Sequence, residues 1–106
     1  MATGILGQAA LAATTNTTIY TVPATTFTVL SVFIVNRGTT TASVRVALAS
    51  SSTPTNAEYI EYDAQLGPNG VLERTGIMMN TGKLLVVYAS NASVSVSAFG
   101  IETSTV

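Results

Sequence analysis

The sequence predicts an all-β chain: a single antiparallel β-sandwich, jelly-roll-like or immunoglobulin-like, of about seven strands, with an extended N-terminal arm. Three observations carry that expectation. Short runs rich in Val, Ile, Thr, Tyr and Phe recur roughly every 10 to 15 residues, as strands of a sandwich do. Clusters of Gly, Pro, Asn and Ser separate them. No amphipathic helix of useful length interrupts the pattern.

Taken in order, residues 1–16 read as the arm. They are rich in Ala, Gly and Thr, and Ile5, Leu6 and Leu11 are their large apolar groups. Composition allows a short helical turn within Gly7–Ala13. So little apolar surface makes no core of its own, so the arm is expected to pack on its own sandwich or to reach a neighbouring subunit. Ala10–Ala13 has the small residues of a cleavage site. However, the stretch lacks a basic start, and Gly4, Gly7 and Gln8 interrupt it, so it is not read as a secretory leader.

Residues 17–102 form the expected sandwich. Thr17–Val22 is a short strand stopped by Pro23, which has no N–H to give a ladder. Phe27–Arg37 is the central strand, with Phe27, Val29, Ser31, Phe33 and Val35 on one face and Thr28, Leu30, Val32, Ile34 and Asn36 on the other. Neither face is polar along its middle, so both are expected to be covered, the outer one by the arm or by another subunit. Ala42–Ala49 alternates cleanly, with Val44, Val46 and Leu48 inward and Ser43, Arg45, Ala47 and Ala49 outward. Ser50–Asn56 is a loop. Glu58–Leu66 and Val71–Met79 are strands joined by Gly67-Pro68-Asn69-Gly70. Leu84–Ser90 is apolar on both faces. Ser93–Ile101 alternates Val94, Val96 and Ala98 against Ser93, Ser95 and Ser97. Residues 103–106 are a polar tail.

The 106 residues suffice for one domain. Only 8% are charged, about a third of the usual share, so the surface has little to solvate it and several faces should be covered in the working state. The net charge of −1 gives no electrostatic footprint for nucleic acid. No run approaches the roughly 18 apolar residues of a membrane-spanning helix, and no membrane partner is expected. The chain has no Cys and no His, which removes disulfides, thiolate nucleophiles, imidazole bases and ordinary zinc sites. No cofactor and no enzymatic activity are expected.

The densest polar cluster is Glu58-Tyr59-Ile60-Glu61-Tyr62-Asp63. Strict alternation would put Glu61 and Asp63 on one strand face about 7 Å apart, a weak candidate for a hard cation such as Ca²⁺. The favoured reading is a charged edge strand, or partners for Arg45 and Arg74. Adjacent Glu73 and Arg74 point to opposite faces, so each should bond a group on another strand. Tyr20, Tyr59, Tyr62 and Tyr88 fit a core rim or a subunit interface better than a sugar-stacking platform.

At Glu58–Asp63, at Leu72-Glu73-Arg74-Thr75-Gly76-Ile77, at Val86–Ser90 and at Phe99-Gly100-Ile101-Glu102, the chain resembles small structural proteins of tailed bacteriophages, notably those of marine and cyanobacterial phages. The opening Gly4–Gln8, Thr14–Thr18 and Tyr20–Pro23 have the same look, so the resemblance spans most of the chain. It implies a virion component with a β-sandwich fold: a head decoration (cement) protein, or a small tail, collar or fibre-associated protein. The loop Ser50–Asn56 and the exposed tyrosines leave a carbohydrate- or receptor-binding module as the alternative. The head surface is favoured over the tail. The implied partners are further copies of the chain, with a trimer favoured, and the major capsid protein. The interface candidates are Ile5, Leu6, Leu11, Phe27, Val29, Phe33, Val35, Arg37, Arg45, Arg74, Leu85 and Val87.

Overall fold

The computed structural model describes residues 2–106. It contains eight strands: β1 (Thr3–Ala10), β2 (Thr17–Thr21), β3 (Thr26–Asn36), β4 (Ala42–Ala49), β5 (Tyr59–Leu66), β6 (Val71–Met79), β7 (Leu84–Ala89) and β8 (Val94–Ser104). A single 3₁₀ turn, η1 (Asn56–Glu58), precedes β5. The strands form two four-stranded antiparallel sheets, a front sheet ordered β1-β8-β3-β6 and a back sheet ordered β2-β7-β4-β5. Their facing sides share one apolar core, giving a sandwich-like arrangement. Leu30, Val32 and Ile34 of β3 and Val94, Val96 and Ala98 of β8 meet Val44 and Val46 of β4 and Leu85, Val87 and Ala89 of β7.

The eighth strand comes from the segment expected as an arm. Thr3–Ala10 forms no helical turn and does not lie across a face. It extends the front sheet by pairing with β8, from Thr3 opposite Ile101 to Ala10 opposite Ser95. Leu6 and Ala9 pack against the core and Leu11 is part of it. At Gly7, β1 comes so close to β2 that a Cβ would sit 2.2 Å from the Ile19 carbonyl oxygen. β8 runs to Ser104, since Thr103 and Ser104 find partners in Phe27 and Thr26.

Polar cross-links tie the sheets together at their margins. Tyr20 of β2 donates its hydroxyl proton to Glu102 Oε2 of β8 at 2.5 Å. A phenol has one proton, so the buried Thr28 hydroxyl, 2.8 Å away, donates to the Tyr20 oxygen. Glu102 Oε1 also accepts the Ala2 N–H at 2.9 Å. At the opposite margin, Glu61 of β5 pairs with Arg74 of β6 across the open side of the sandwich.

The first cross-link makes stability depend on pH at both ends of the scale. Burial, and then the hydrogen bond to Glu102, push the Tyr20 phenol up to about 12. A raised folded pKa gives stability that is complete below the ordinary tyrosine value near 10 and is lost as pH rises towards 12. The Tyr20 hydroxyl foremost, then the Ala2 N–H, hold the Glu102 carboxyl below its ordinary value. Its contribution is therefore present above the ordinary carboxylate range and is lost as pH falls through the lowered value. Tyr20→Phe should lower stability at pH 7 by about 1–2 kcal/mol, because buried Thr28 loses its partner. Thermal melts from pH 3 to 12 check this: the variant should lose the alkaline fall between about 10 and 12 that the native chain shows.

Candidate interaction surface

The outer face of the front sheet is built by alternation. Leu30, Val32 and Ile34 go to the core, so Phe27, Val29, Ser31, Phe33 and Val35 point outward. Register then sets their neighbours. One row across the sheet runs Thr3, Ile101, Val29, Met78, and another places Ile5, Phe99 and Ser31 side by side. Val71 sits beside Val35. Phe33 and Phe99 are in ring contact, with centroids 5.2 Å apart. Ile5, Ile101 and Met78 are 60%, 56% and 69% exposed. A concavity of about 190 Å³ lined by Phe27, Met78, Met79 and Asn80 closes one end. Polar groups frame the other parts: Gln8 donates to Ser97 (3.1 Å), Arg37 Nε donates to Ser95 (2.7 Å), and Glu73 stands opposite Phe33. Scattered single apolar residues are ordinary on a protein surface, but a continuous patch on one sheet face marks an interaction site.

No protein-family model, no curated protein and no solved structure matches this chain. The surface itself therefore carries the functional argument.

The expected interface residues divide by location. Ile5, Phe27, Val29, Phe33 and Val35 share the front face, with Arg37 at its rim. Leu11, Leu85 and Val87 are buried in the core, so none of these three offers surface to a partner, and Leu6 is half-buried against it. Arg45 is on the back sheet and Arg74 on the β5–β6 margin. The alternation reading passed over Phe99, Ile101, Met78 and Val71. The parity that sends Ser95 and Ser97 outward continues to Phe99 and Ile101, so the signal was present for β8.

The outer face of Leu84–Ala89 is covered from within the chain. Leu84 and Val86 pack with Tyr59, Ala47 and Ala49 in a second, smaller apolar cluster on the back sheet. Ala47 and Ala49 point outward as alternation predicts, yet both are fully buried there.

The acidic cluster does not form a carboxylate pair. Asp63 has φ +52°, and three β5 steps from Glu61 to Ala64 face two β4 steps from Val46 to Val44. This bulge breaks the alternation and sends the two carboxylates to different sides. Glu61 turns to Arg74 and Asp63 turns to Arg45, with Arg45 Nε donating to Asp63 Oδ1 at 2.7 Å. Both are the arginine partners the sequence suggested. A second register shift, where the two β5 steps from Tyr59 to Glu61 face the single β4 step from Ala47 to Val46, brings Tyr59 and Tyr62 together, although strict alternation would separate them. Among the described residues, no three His, Cys, Asp or Glu side chains gather to hold a metal ion.

Proposed function

We propose that this chain is a non-enzymatic assembly subunit of a phage virion, a head decoration protein that docks through the outer face of its front sheet. The observation that carries the reading is the apolar continuity of that face in a chain with so few charges. Four strands about 4.8 Å apart, eight to eleven residues long at about 3.3 Å per residue, make a face of roughly 19 by 30 Å. With side-chain relief, this approaches the roughly 800 Å² that a standard interface takes from each partner. Gln8, Arg37 and Glu73 supply the polar rim that fixes orientation.

The strand order supports the finer description of the fold. Sheets ordered 1-8-3-6 and 2-7-4-5 are what an eight-stranded jelly roll gives when its two Greek keys fold over each other. The immunoglobulin-like alternative has seven strands divided four and three. Jelly rolls include viral capsid domains, which adds an argument by analogy of fold alone. The phage assignment rests on the resemblance of sequence, and closed homotrimers would suit local threefold positions on a shell.

Sedimentation velocity and imaging of labelled protein on phage particles test the proposal. The native chain should sediment as a closed oligomer and decorate heads. Met78→Lys combined with Ile101→Lys should abolish head decoration, because each ammonium would have to be buried in the contact. Both sites are exposed, so stability should stay within about 0.5 kcal/mol of native. A native chain that stays monomeric and binds neither heads nor tails would sink the reading.

A further inference from the structure

We propose that the outer face of the back sheet is a binding platform for a neutral saccharide, built on Tyr62 and Tyr59. The two rings meet edge to face, with centroids 4.9 Å apart and planes at 81°. With Asn56 from η1 they line an open-sided concavity of about 470 Å³, the size of a small-ligand site. Tyr62 remains 57% exposed.

The platform is held rigid before any ligand arrives. The Arg45 guanidinium lies 4.3 Å from the centre of the Tyr62 ring and 4.5 Å from that of Tyr88. Asp63 fixes that guanidinium with two contacts, at 2.7 and 3.4 Å. A ring held against a cation on one side and a second ring at its edge loses little freedom when something stacks on it.

Chemistry selects the ligand. A pyranose presents an apolar C–H face to an aromatic ring and hydroxyls around its edge. Here the rings stand beside the Asn56 amide, and the Ser- and Thr-rich loop 50–55 leads into the site. Nearby charges are already engaged. Arg45 is paired with Asp63. Glu58 accepts the N–H groups of Ser50 (3.0 Å) and Thr55 (2.9 Å) and lies 3.7 Å from Lys83. No uncompensated charge is left to draw an anionic or cationic ligand, which favours an uncharged sugar. The front face has the opposite character, with aliphatic side chains and phenylalanines suited to protein.

Nuclear magnetic resonance titration with a panel of uncharged and sialylated oligosaccharides tests the site. An uncharged member should shift the signals of Asn56, Tyr59 and Tyr62 with millimolar or better affinity. Tyr62→Ala should weaken binding about tenfold, Tyr62→Phe should keep it within about threefold, and Tyr20→Phe should leave it unchanged. No shift at about 20 mM sugar, binding by sialylated members alone, or unchanged affinity in Tyr62→Ala would overturn the proposal. Peptide binding at this face that sugar does not displace would do the same. The site shares no residue with the front face, so failure of assembly and failure of sugar binding are separate results.

Discussion

Asn36→Asp should lower the melting midpoint by roughly 15 °C at pH 7, although it exchanges one NH₂ group for one oxygen. Asn36 is fully buried at the end of β3. Its amide nitrogen donates to the carbonyls of Thr40 (2.7 Å) and Leu66 (2.9 Å), and its Oδ1 accepts the Gly38 N–H (2.9 Å). One side chain therefore holds the β3–β4 turn closed and ties it to the end of β5 in the other sheet. An ionised Asp has no proton to donate, so two carbonyl oxygens would face a buried negative charge. The loss is about 3 kcal/mol, combining two broken bonds with the desolvation of the charge. The pH dependence identifies the cause. Burial beside two carbonyls raises the folded pKa of the introduced carboxyl, so its stability is highest below the ordinary aspartate value near 4 and falls as pH rises. Urea unfolding at pH 4 and pH 7 should show the variant closer to native at the lower pH. Equal deficits at both would mean that shape, not protonation, sets the cost.

The sequence made most of the fold legible because turn chemistry and period-two patterning are local signals. Ala42–Ala49 and Val71–Met79 were bounded to the residue by their flanking Gly, Pro and Asn clusters. β1 was not legible as a strand. Thr, Gly, Gln and Ala have little β preference, and its order comes from pairing with a strand almost ninety residues away. The bulges were also hidden. Asp63 at φ +52° and Gly76 at φ +69° each shift the parity of an edge strand, and nothing local announces a left-handed Asp inside a run of Tyr and Glu. Strict alternation therefore pairs Glu61 with Asp63 and separates Tyr59 from Tyr62, the reverse of what the two register shifts of β5 do. The front face was half legible. Its β3 residues follow from alternation, whereas its β6 and β8 residues depend on which strands become neighbours, and that is a property of topology.

Gly100→Ala should be the most damaging single methyl in the chain. Gly100 lies in β8 opposite Leu30 of β3 and Gly4 of β1, where three strands of the front sheet run side by side. A Cβ there would stand 2.1 Å from the Val29 carbonyl oxygen and 2.7 Å from the Leu30 Cα. Both are backbone atoms, so no rotamer change can make room. β8 would have to move away from β3 in the middle of the longest pairing in the molecule, which runs from Thr26–Ser104 to Asn36–Val94. The cost should be about 3 kcal/mol, at the upper end for overpacking, and roughly 15 °C in melting midpoint. Gly67→Ala is the matched control, since nothing lies within 4 Å of its Cβ position. That change should be neutral or raise stability by about 0.5 kcal/mol through the unfolded chain. Gly7→Ala separates global from local strain. The three atoms nearest its Cβ position all belong to Ile19, so β1 can peel from β2 while the rest of the front sheet stays paired. Amide hydrogen exchange should then show lost protection confined to β1 and β2 for Gly7→Ala, and across β3, β6 and β8 for Gly100→Ala. Equal protection patterns in the two variants would mean that β1 is bound into the same cooperative unit as the β3–β8 pair. A Gly100→Ala midpoint within a few degrees of native would mean that β8 has slack against β3 that the close approach of their backbones denies.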